Sequence, residues 1–538
     1  MGRVVLFLVV VLLAGGSVHA QVPPIFAPGT ELHDIYCRAC AHFFPEVLPA
    51  DSEFRLDRAI CGTSAIRGLT ANWDRLPPAA KEAFAFLQQR PVLSHSILSS
   101  GGHFKIHYNT VGTHAVAPTD ANANGVPDYV DEAARVFESV WDLQINQLGY
   151  NPPLSDGDNV YDIYIKNLAV QQAYGFTYPI AYTELTTPSY MEIDNNFTDN
   201  IYPVNSRGFN GLRVTAAHEF FHAIQFGYYA DFAAAWWQEL TAVWMEDVAY
   251  PDVNDFYQYM SCPSNFSCFY DDPEASLDKF SGSLHPFGAS IFAHHIEQVY
   301  GADAIKSVWE LLKRRDPSRY SLSLIDDGMP LGGFAQVMPR FAAWNYLTDL
   351  RTRPGYYVEA RDLPSIKHTN IFLGTGGSFE GSETVDHLGA TYLRVATSNI
   401  AGGLRGMFTL DDRGQWQLLV MLISPSGIEL LCPRGTTVVI PRANRFDEVV
   451  FIVMETSLSG DRRRVNYTFS TGGSTATDLV CDVDGDGRVA FSDFLRFADG
   501  FKLLHTDNRY DPKLDFNGDG PVDFRDFLIF VSHFGESR

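Results

Sequence analysis

The chain has 538 residues, too many for a single hydrophobic core, so three or four domains are expected. Its hydrophobic content of 46% is ordinary for a globular protein. A net charge of −24 argues against nucleic acid and against anionic membrane surfaces as partners.

Met1–Ala20 reads as a secretory signal. Arg3 supplies the positive start, and Val4–Leu13 is an apolar run too short to span a bilayer. Val18 and Ala20 put small residues at −3 and −1, so Gln21 would begin an exported chain, secreted or held at the cell surface. No later stretch is apolar enough to cross a membrane. Export permits disulfides. There are seven cysteines, so at least one is unpaired or intermolecular. Cys262 and Cys268 flank a short loop and are the expected pair. Cys37, Cys40 and Cys61 form an N-terminal group with material for one bridge, and only Cys61 lies near enough to extend a Cys37-x-x-Cys40 zinc pair.

Residues 21–100 form an N-terminal segment with breaks at Pro23-Pro24 and Pro77-Pro78 and a short helix over Pro78–Gln89, proline first. A pro-segment and a subdomain that stays attached are both open readings.

A domain over residues 101–364 begins with the alternating strand Phe104–Tyr108. Asp120, Asn122, Asn124 and Asp131 then fall at positions 1, 3, 5 and 12 of a calcium-loop spacing. Gly125 stands at 6, the Val126 carbonyl at 7, and Asp128 at 9, where it can act through water. The same residues also suit a polar turn capping a helix over Asp128–Leu148. Strands follow at Val160–Lys166 and Ser189–Asp194.

Val214–Tyr228 carries His218, Glu219 and His222 in an H-E-x-x-H pattern. On a helix, residues four apart share a face, so two imidazoles can aim at one Zn²⁺ ion. Glu219 lies about 100° around the helix, where it can touch a water at the metal without taking a ligand position. Ala233–Asp247 reads as a second buried helix and supplies Glu239, 17 positions after His222. Ala242, three further on, is small enough to let the helices approach. Two His, one Glu and an open fourth position make the catalytic rather than the structural zinc pattern.

His-Glu-Phe-Phe-His followed by E-x-x-A on the next helix resembles the gluzincins, the thermolysin-like branch of the zincin metallopeptidases. The wording AHEFFHAIQFGY…WWQELTAVWMED is similar to secreted bacterial metalloproteases distantly related to immune inhibitor A peptidases, over roughly residues 101–364. The resemblance implies an α+β zincin-like domain with one catalytic zinc on His218, His222 and Glu239, and Glu219 as general base. It also makes Tyr190–Asp194 the candidate edge strand that pairs with a peptide substrate. Gluzincins need a side chain at the oxyanion, usually His or Tyr, and His285 is the candidate. Related sequences carry Tyr before Gly288, whereas this chain has Phe287, a departure that leaves the donor open. His294 and His295 read as ordinary helix residues. Helices over Ala289–Tyr300, Asp303–Arg314 and Met338–Leu350 would complete an α-rich lower lobe.

Near Pro364 the apolar period changes from 3.6 to 2. Short strands at His387–Val395, Trp416–Ile423, Thr436–Ile440, Glu448–Met454 and Arg464–Ser470 predict an antiparallel β-sandwich over residues 365–470. It could bind carbohydrate or substrate, or serve as a packing module. Residues 471–479 read as a linker.

Residues 480–538 contain a repeat. Asp482, Asp484, Asp486, Arg488 and Asp493 match Asp515, Asn517, Asp519, Pro521 and Asp526 at an offset of 33. Each copy has side-chain ligands at 1, 3, 5 and 12, a backbone carbonyl at 7, glycine at 6 and an apolar helix after the loop. The repeat resembles a dockerin, a small α-helical module of paired calcium loops that docks on cohesins. Two Ca²⁺ ions are expected here, with a third at Asp120–Asp131 if that loop is a calcium site. The sequence thus predicts a secreted zinc endopeptidase acting on protein or peptide, with a cohesin-like or surface docking partner. The alternative is a catalytically inactive calcium-binding component of a scaffold or cell surface, docked through its tail. A glycan hydrolase would need a carboxylate pair in a cleft, and none outranks the zinc pattern.

Overall fold

A computed structural model describes residues 26–27, 29–180, 185–262, 268–280, 284–314, 321–374, 376–400, 402–433, 435–471, 481–504, 507, 509–511, 513–516 and 521–537. The signal sequence, nearly all of the linker, and Asn517 and Asp519 of the second tail loop lie outside them. The chain is a mixed α and β protein. In order, the first part contains α1 (Glu31–Phe43), α2 (Thr63–Ala71), α3 (Pro78–Ala83), β1 (His95–Leu98), β2 (Phe104–Tyr108), α4 (Asp128–Trp141), β3 (Tyr161–Lys166), β4 (Gly175–Pro179), β5 (Ser189–Asp194), α5 (Phe209–Tyr228) and α6 (Ala235–Ala249). Then come α7 (His285–Gly288), α8 (Ser290–Tyr300), α9 (Ala302–Arg314), α10 (Ser321–Gly328) and α11 (Phe334–Tyr346).

The first sheet runs β1-β2-β3-β5-β4. β2, β3 and β5 are mutually parallel, and β1 and β4 pair antiparallel at the two edges. Two expectations change here. The sheet already includes His95–Leu98, ahead of the boundary at residue 101. β5, which holds Tyr190–Asp194, is an interior strand, and the edge is β4. β4 is short and ends in Pro179, a composition that reads weakly as a strand but suits an edge, where a missing N–H costs no ladder bond.

One face of the sheet packs on α4 and α5 in the main core, through Ile106, Phe137, Ile163, Met191 and Phe220. The opposite face, with Tyr164, Phe176, Tyr178 and Tyr190, is covered by the N-terminal segment through Tyr36, Cys40, Ile66 and Phe84. α5 and α6 are apolar on nearly every side and sit deep in the molecule, as such helices must. α4 continues into a π-helical turn over Asp142–Gln147, which turns Gln144 inward to donate to the Ala217 carbonyl of α5 at 2.8 Å.

α11 begins at Phe334, four residues ahead of the expected start at Met338, and runs through Pro339. Proline removes the N–H that would bond the Ala335 carbonyl, and the Gln417 side chain donates to that carbonyl instead. Gln417 belongs to the third part, made of β6 (Thr369–Phe372), β7 (Ser378–Val385), β8 (Ala390–Ala396), β9 (Leu404–Leu410), β10 (Trp416–Ser424), β11 (Gly427–Leu431), β12 (Thr437–Ile440), β13 (Glu448–Glu455) and β14 (Arg463–Thr471). These form two sheets, β11-β10-β13-β8-β6 and β12-β9-β14-β7, packed face to face through Leu393, Phe451, Phe408 and Phe469. The pairing is antiparallel except that β6 joins β8 in parallel. The outer face of the first of these sheets, with Tyr392, Met421 and Ile452, packs into the main core. Burial on both faces explains why β13 is an unbroken apolar run between its terminal glutamates rather than an alternating one.

The tail holds α12 (Phe491–Gly500) and α13 (Phe524–His533) around Phe497, Phe516 and Phe530. Val489 pairs with Gly535 and Glu536, and Val522, 33 residues on, pairs with Lys502 and Leu503, so the repeat folds with approximate two-fold symmetry. Among the described residues no helix is long and apolar enough to cross a membrane.

Candidate metal centre

α5 presents His218 and His222 one turn apart, with their Nε2 atoms 3.1 Å from each other. α6 brings Glu239 across, its Oε2 3.5 Å from His218 Nε2 and 3.6 Å from His222 Nε2. A fourth group completes the cluster. Cys61 Sγ lies 3.5 Å from His222 Nε2, and one ligand atom from each of Cys61, His218, His222 and Glu239 falls within 4.8 Å of every other. All four residues are buried, none more than 3% exposed.

The hydrogen bonds behind the ligands fix their tautomers. His218 Nδ1 lies 2.6 Å from Glu246 Oε1, a carboxylate one turn pair beyond Glu239 on α6. His222 Nδ1 lies 2.7 Å from Gln225 Oε1, and Gln225 Nε2 in turn donates to the Gln238 carbonyl and to Thr241 Oγ1, both at 3.0 Å. Each imidazole therefore spends its N–H outward and turns a lone pair inward. Two lone pairs, a sulfur and a carboxylate oxygen without a hydrogen-bond donor then share one buried point. That arrangement is repulsive without a cation and suited to one with it. Ligand atoms about 2.0–2.3 Å from a tetrahedral zinc ion lie roughly 3.3–3.6 Å apart, close to the separations seen. The residues fit a buried metal ion.

Burial pushes Glu246 up to about 8 against the pull of His218. A cation among the ligands would oppose that rise.

Glu219 lies beside the cluster and is fully buried. Its Oε2 accepts from Thr63 Oγ1 at 2.8 Å and from Thr177 Oγ1 at 2.7 Å, and its Oε1 has no hydrogen-bond partner among the described residues. Thr177 is on the edge strand β4. Gly175, on the same strand, must be glycine, because a Cβ there would meet Glu219 Cγ at 2.6 Å. A cavity of about 10 Å³, the space of one water, remains between Cys61, His218, Glu219, Glu246, Asp255 and Tyr259.

His285 lies in a later segment, beside Leu284 and Phe287, which share a pocket with Cys61. It begins α7, fully buried, with its ring 5.7 Å from Phe269, and it is not among the residues lining the one-water cavity. Burial first, and then Lys279, lower it to about 4. Tyr259 and Tyr174 line the cavity, and the Tyr174 hydroxyl donates to Asp255 at 2.8 Å. Tyr259 stacks on Phe287, ring centroids 5.1 Å apart, so a phenol reaches the centre from another segment.

Cys262 and Cys268 are joined in a disulfide. Cys37, Cys40 and Cys61 form no bridge, and Cys37 Sγ lies 3.5 Å from His33 Nε2.

In the loop Asp120–Asp131, Asn122 and Asn124 both donate to Asp131 Oδ2, at 3.0 and 2.8 Å. Asp120 accepts from the backbone N–H groups of Asn124 and Gly125, and Asn124 from that of Val126. Four oxygen-bearing side chains thus turn inward, with Gly125 at φ +86° where the loop reverses. In the tail, Asp482, Asp484 and Asp493 carry carboxylate oxygens within 4.8 Å of one another. Asp486 caps the Arg488 N–H, and Asp493, fully buried, accepts from Val483, Asp484 and Ala490. In the second copy Asp526 is equally buried and accepts from Asp523 N. Asp515 accepts from the Tyr510 hydroxyl, and Pro521 precedes α13.

No family model matches the sequence, and neither does any curated protein. Among solved structures, a type II cohesin–X-dockerin complex from Acetivibrio cellulolyticus aligns at 15% identity over 26% of this chain and 97% of that one, with a TM-score of 0.12. Legionella pneumophila aminopeptidase A bound to aspartic acid aligns at 10% identity over 68% of this chain and 36% of that one, with a TM-score of 0.27. Both scores are below the level that establishes a shared fold.

Proposed function

We propose that the protein is a secreted zinc-dependent endopeptidase with a calcium-binding docking tail. The observation that carries this reading is the convergence of His218, His222 and Glu239 on one point with Glu219 beside them. His218, His222 and Glu239 would hold the ion. A zinc ion so held supplies Lewis acidity and lowers the pKa of a water molecule toward neutrality. Glu219 takes the proton of the attacking water and hands it to the leaving amine. Thr177 fixes one of its oxygens and leaves the other for this transfer. β4 offers the backbone groups on which a peptide can be laid out as an added strand.

Calcium at the two tail loops would order α12 and α13 and present their exposed apolar residues. Phe491 and Phe524, and Leu495 and Leu528, are all more than half exposed and occupy equivalent places in the two copies. Repeated exposed apolar residues on a small module suit a protein partner, in the manner of a dockerin on a cohesin.

One observation favours the inactive alternative. Four buried ligands are the closed pattern of a structural zinc site. The two readings part on one test, zinc per chain together with casein hydrolysis, with and without 1,10-phenanthroline, after residues 21–94 are cut away. Zinc-dependent turnover supports the endopeptidase. Zinc without turnover on any unfolded protein supports the scaffold component.

A further inference from the structure

The fourth ligand belongs to the N-terminal segment, and the chain around it occupies the site as a substrate would. Ile60 N donates to the Gln172 carbonyl at 3.1 Å, Tyr174 N to the Ile60 carbonyl at 3.2 Å, and Gly62 N to the Gly175 carbonyl at 3.1 Å. Residues 60–62 are thus laid in parallel along the start of the edge strand, using backbone groups that an added peptide would need. Gly62 permits the approach, since a Cβ there would lie 1.9 Å from the Phe176 ring. Thr63 then closes the grip. Its hydroxyl donates to Glu219 Oε2 at 2.8 Å and accepts from Thr177 N at 2.7 Å. Three consecutive residues therefore engage the metal ligands, the edge strand and the base.

We propose that Cys61 is a metal ligand, that Cys61-Gly62-Thr63 is an internal blocking peptide, and that the N-terminal segment keeps the centre latent until it leaves β4. The proposal rests on the zinc-centre reading above. A thiolate on the ion takes the position that solvent needs, so the closed four-ligand set and the open catalytic set become two states of one site. α1 and α2 hold the block in place. His42 of α1 bonds the Gln171 carbonyl at 2.9 Å, and Phe43 stacks on Phe176 with centroids 5.4 Å apart. The stretch joining this segment to β1 offers a place to cut, with Val92 94% exposed.

The test uses the full-length chain loaded with Co²⁺, as Glu219→Gln so that it stays intact, alone and combined with Cys61→Ser. A thiolate-to-cobalt charge-transfer band is expected in the first protein and its loss in the second, with bound cobalt unchanged. In the otherwise unaltered chain, Cys61→Ser and separately Gly62→Val, which drives a side chain into Phe176, are each expected to raise casein hydrolysis. Cobalt bound without the band overturns the proposal and leaves the metal centre standing. The band without any rise in hydrolysis from either variant overturns the blocking role. No cobalt in either protein overturns the metal centre, and the proposal falls with it.

Discussion

Glu246→Gln tests whether the groups behind the ligands tune the centre. Glu246 is 4% exposed, and its Oε1 meets His218 Nδ1 at 2.6 Å. Glutamine keeps the shape and one acceptor oxygen but removes the charge. A hydrogen bond to a charged acceptor contributes roughly 1.5–3 kcal/mol and a neutral one roughly 0.5–1.5, a difference of about 1–1.5 kcal/mol. That corresponds to about a tenfold loss of zinc affinity, at the low end of the 10–100-fold range for such outer partners, and Glu246→Ala is expected nearer the high end. The assay is competition for Zn²⁺ against a chromophoric chelator at pH 7.5, with circular dichroism to confirm folding. If Glu246→Ala held zinc as tightly as the parent chain, His218 would not be a ligand oriented through Glu246.

Further outcomes follow from other contacts. Glu219→Gln should retain one zinc per chain while hydrolysis, once the N-terminal segment is removed, falls by about 10²–10⁴; casein cleavage at the parent rate would contradict the role of Glu219. His387 joins the β-sandwich to the preceding domain through Asp278 at 2.9 Å and Asp461 at 2.6 Å. Burial opposes its charge, yet these carboxylates lift it to about 9. The raised value means that its contribution to stability is complete below its unfolded pKa of about 6.5 and is lost as pH rises through about 9. Thermal melts from pH 6 to 10 should show that loss in the parent and a flatter profile in His387→Ala, whereas parallel profiles would refute the assignment. Calcium should raise the tail's helicity and melting temperature, and Asp493→Ala with Asp526→Ala should abolish the response, read by circular dichroism during a Ca²⁺ titration.

What could be read from sequence followed from periodicity and spacing. His218 and His222 are fixed in relation by one helical turn, so their convergence was visible before any fold. Glu239 needed only a second buried helix, and Ala233–Asp247 is apolar enough to announce one. The repeat in the tail was legible because it occurs twice, and the paired helices follow its offset. Cys61 was not legible, because its partners are more than 150 residues away and reach it only through the pairing of residues 60–62 with β4. Gly62, pressed against Phe176, was the local trace of that approach, but a glycine in a loop has many causes. The edge strand was misassigned because Gly175 and Pro179 read as punctuation, and both are there for the site: one to clear Glu219, one to end an edge. His285 stood out by residue type and by position before a glycine, and the structure adds that it is fully buried at the start of α7.

The central claim is that His218, His222 and Glu239 hold one metal ion. Zinc content of the purified full-length chain, measured by inductively coupled plasma mass spectrometry, addresses it directly. The expected result is one zinc per chain, near zero in folded His218→Ala and Glu239→Ala variants. A parent chain without zinc, or variants that keep it in full, would contradict the account.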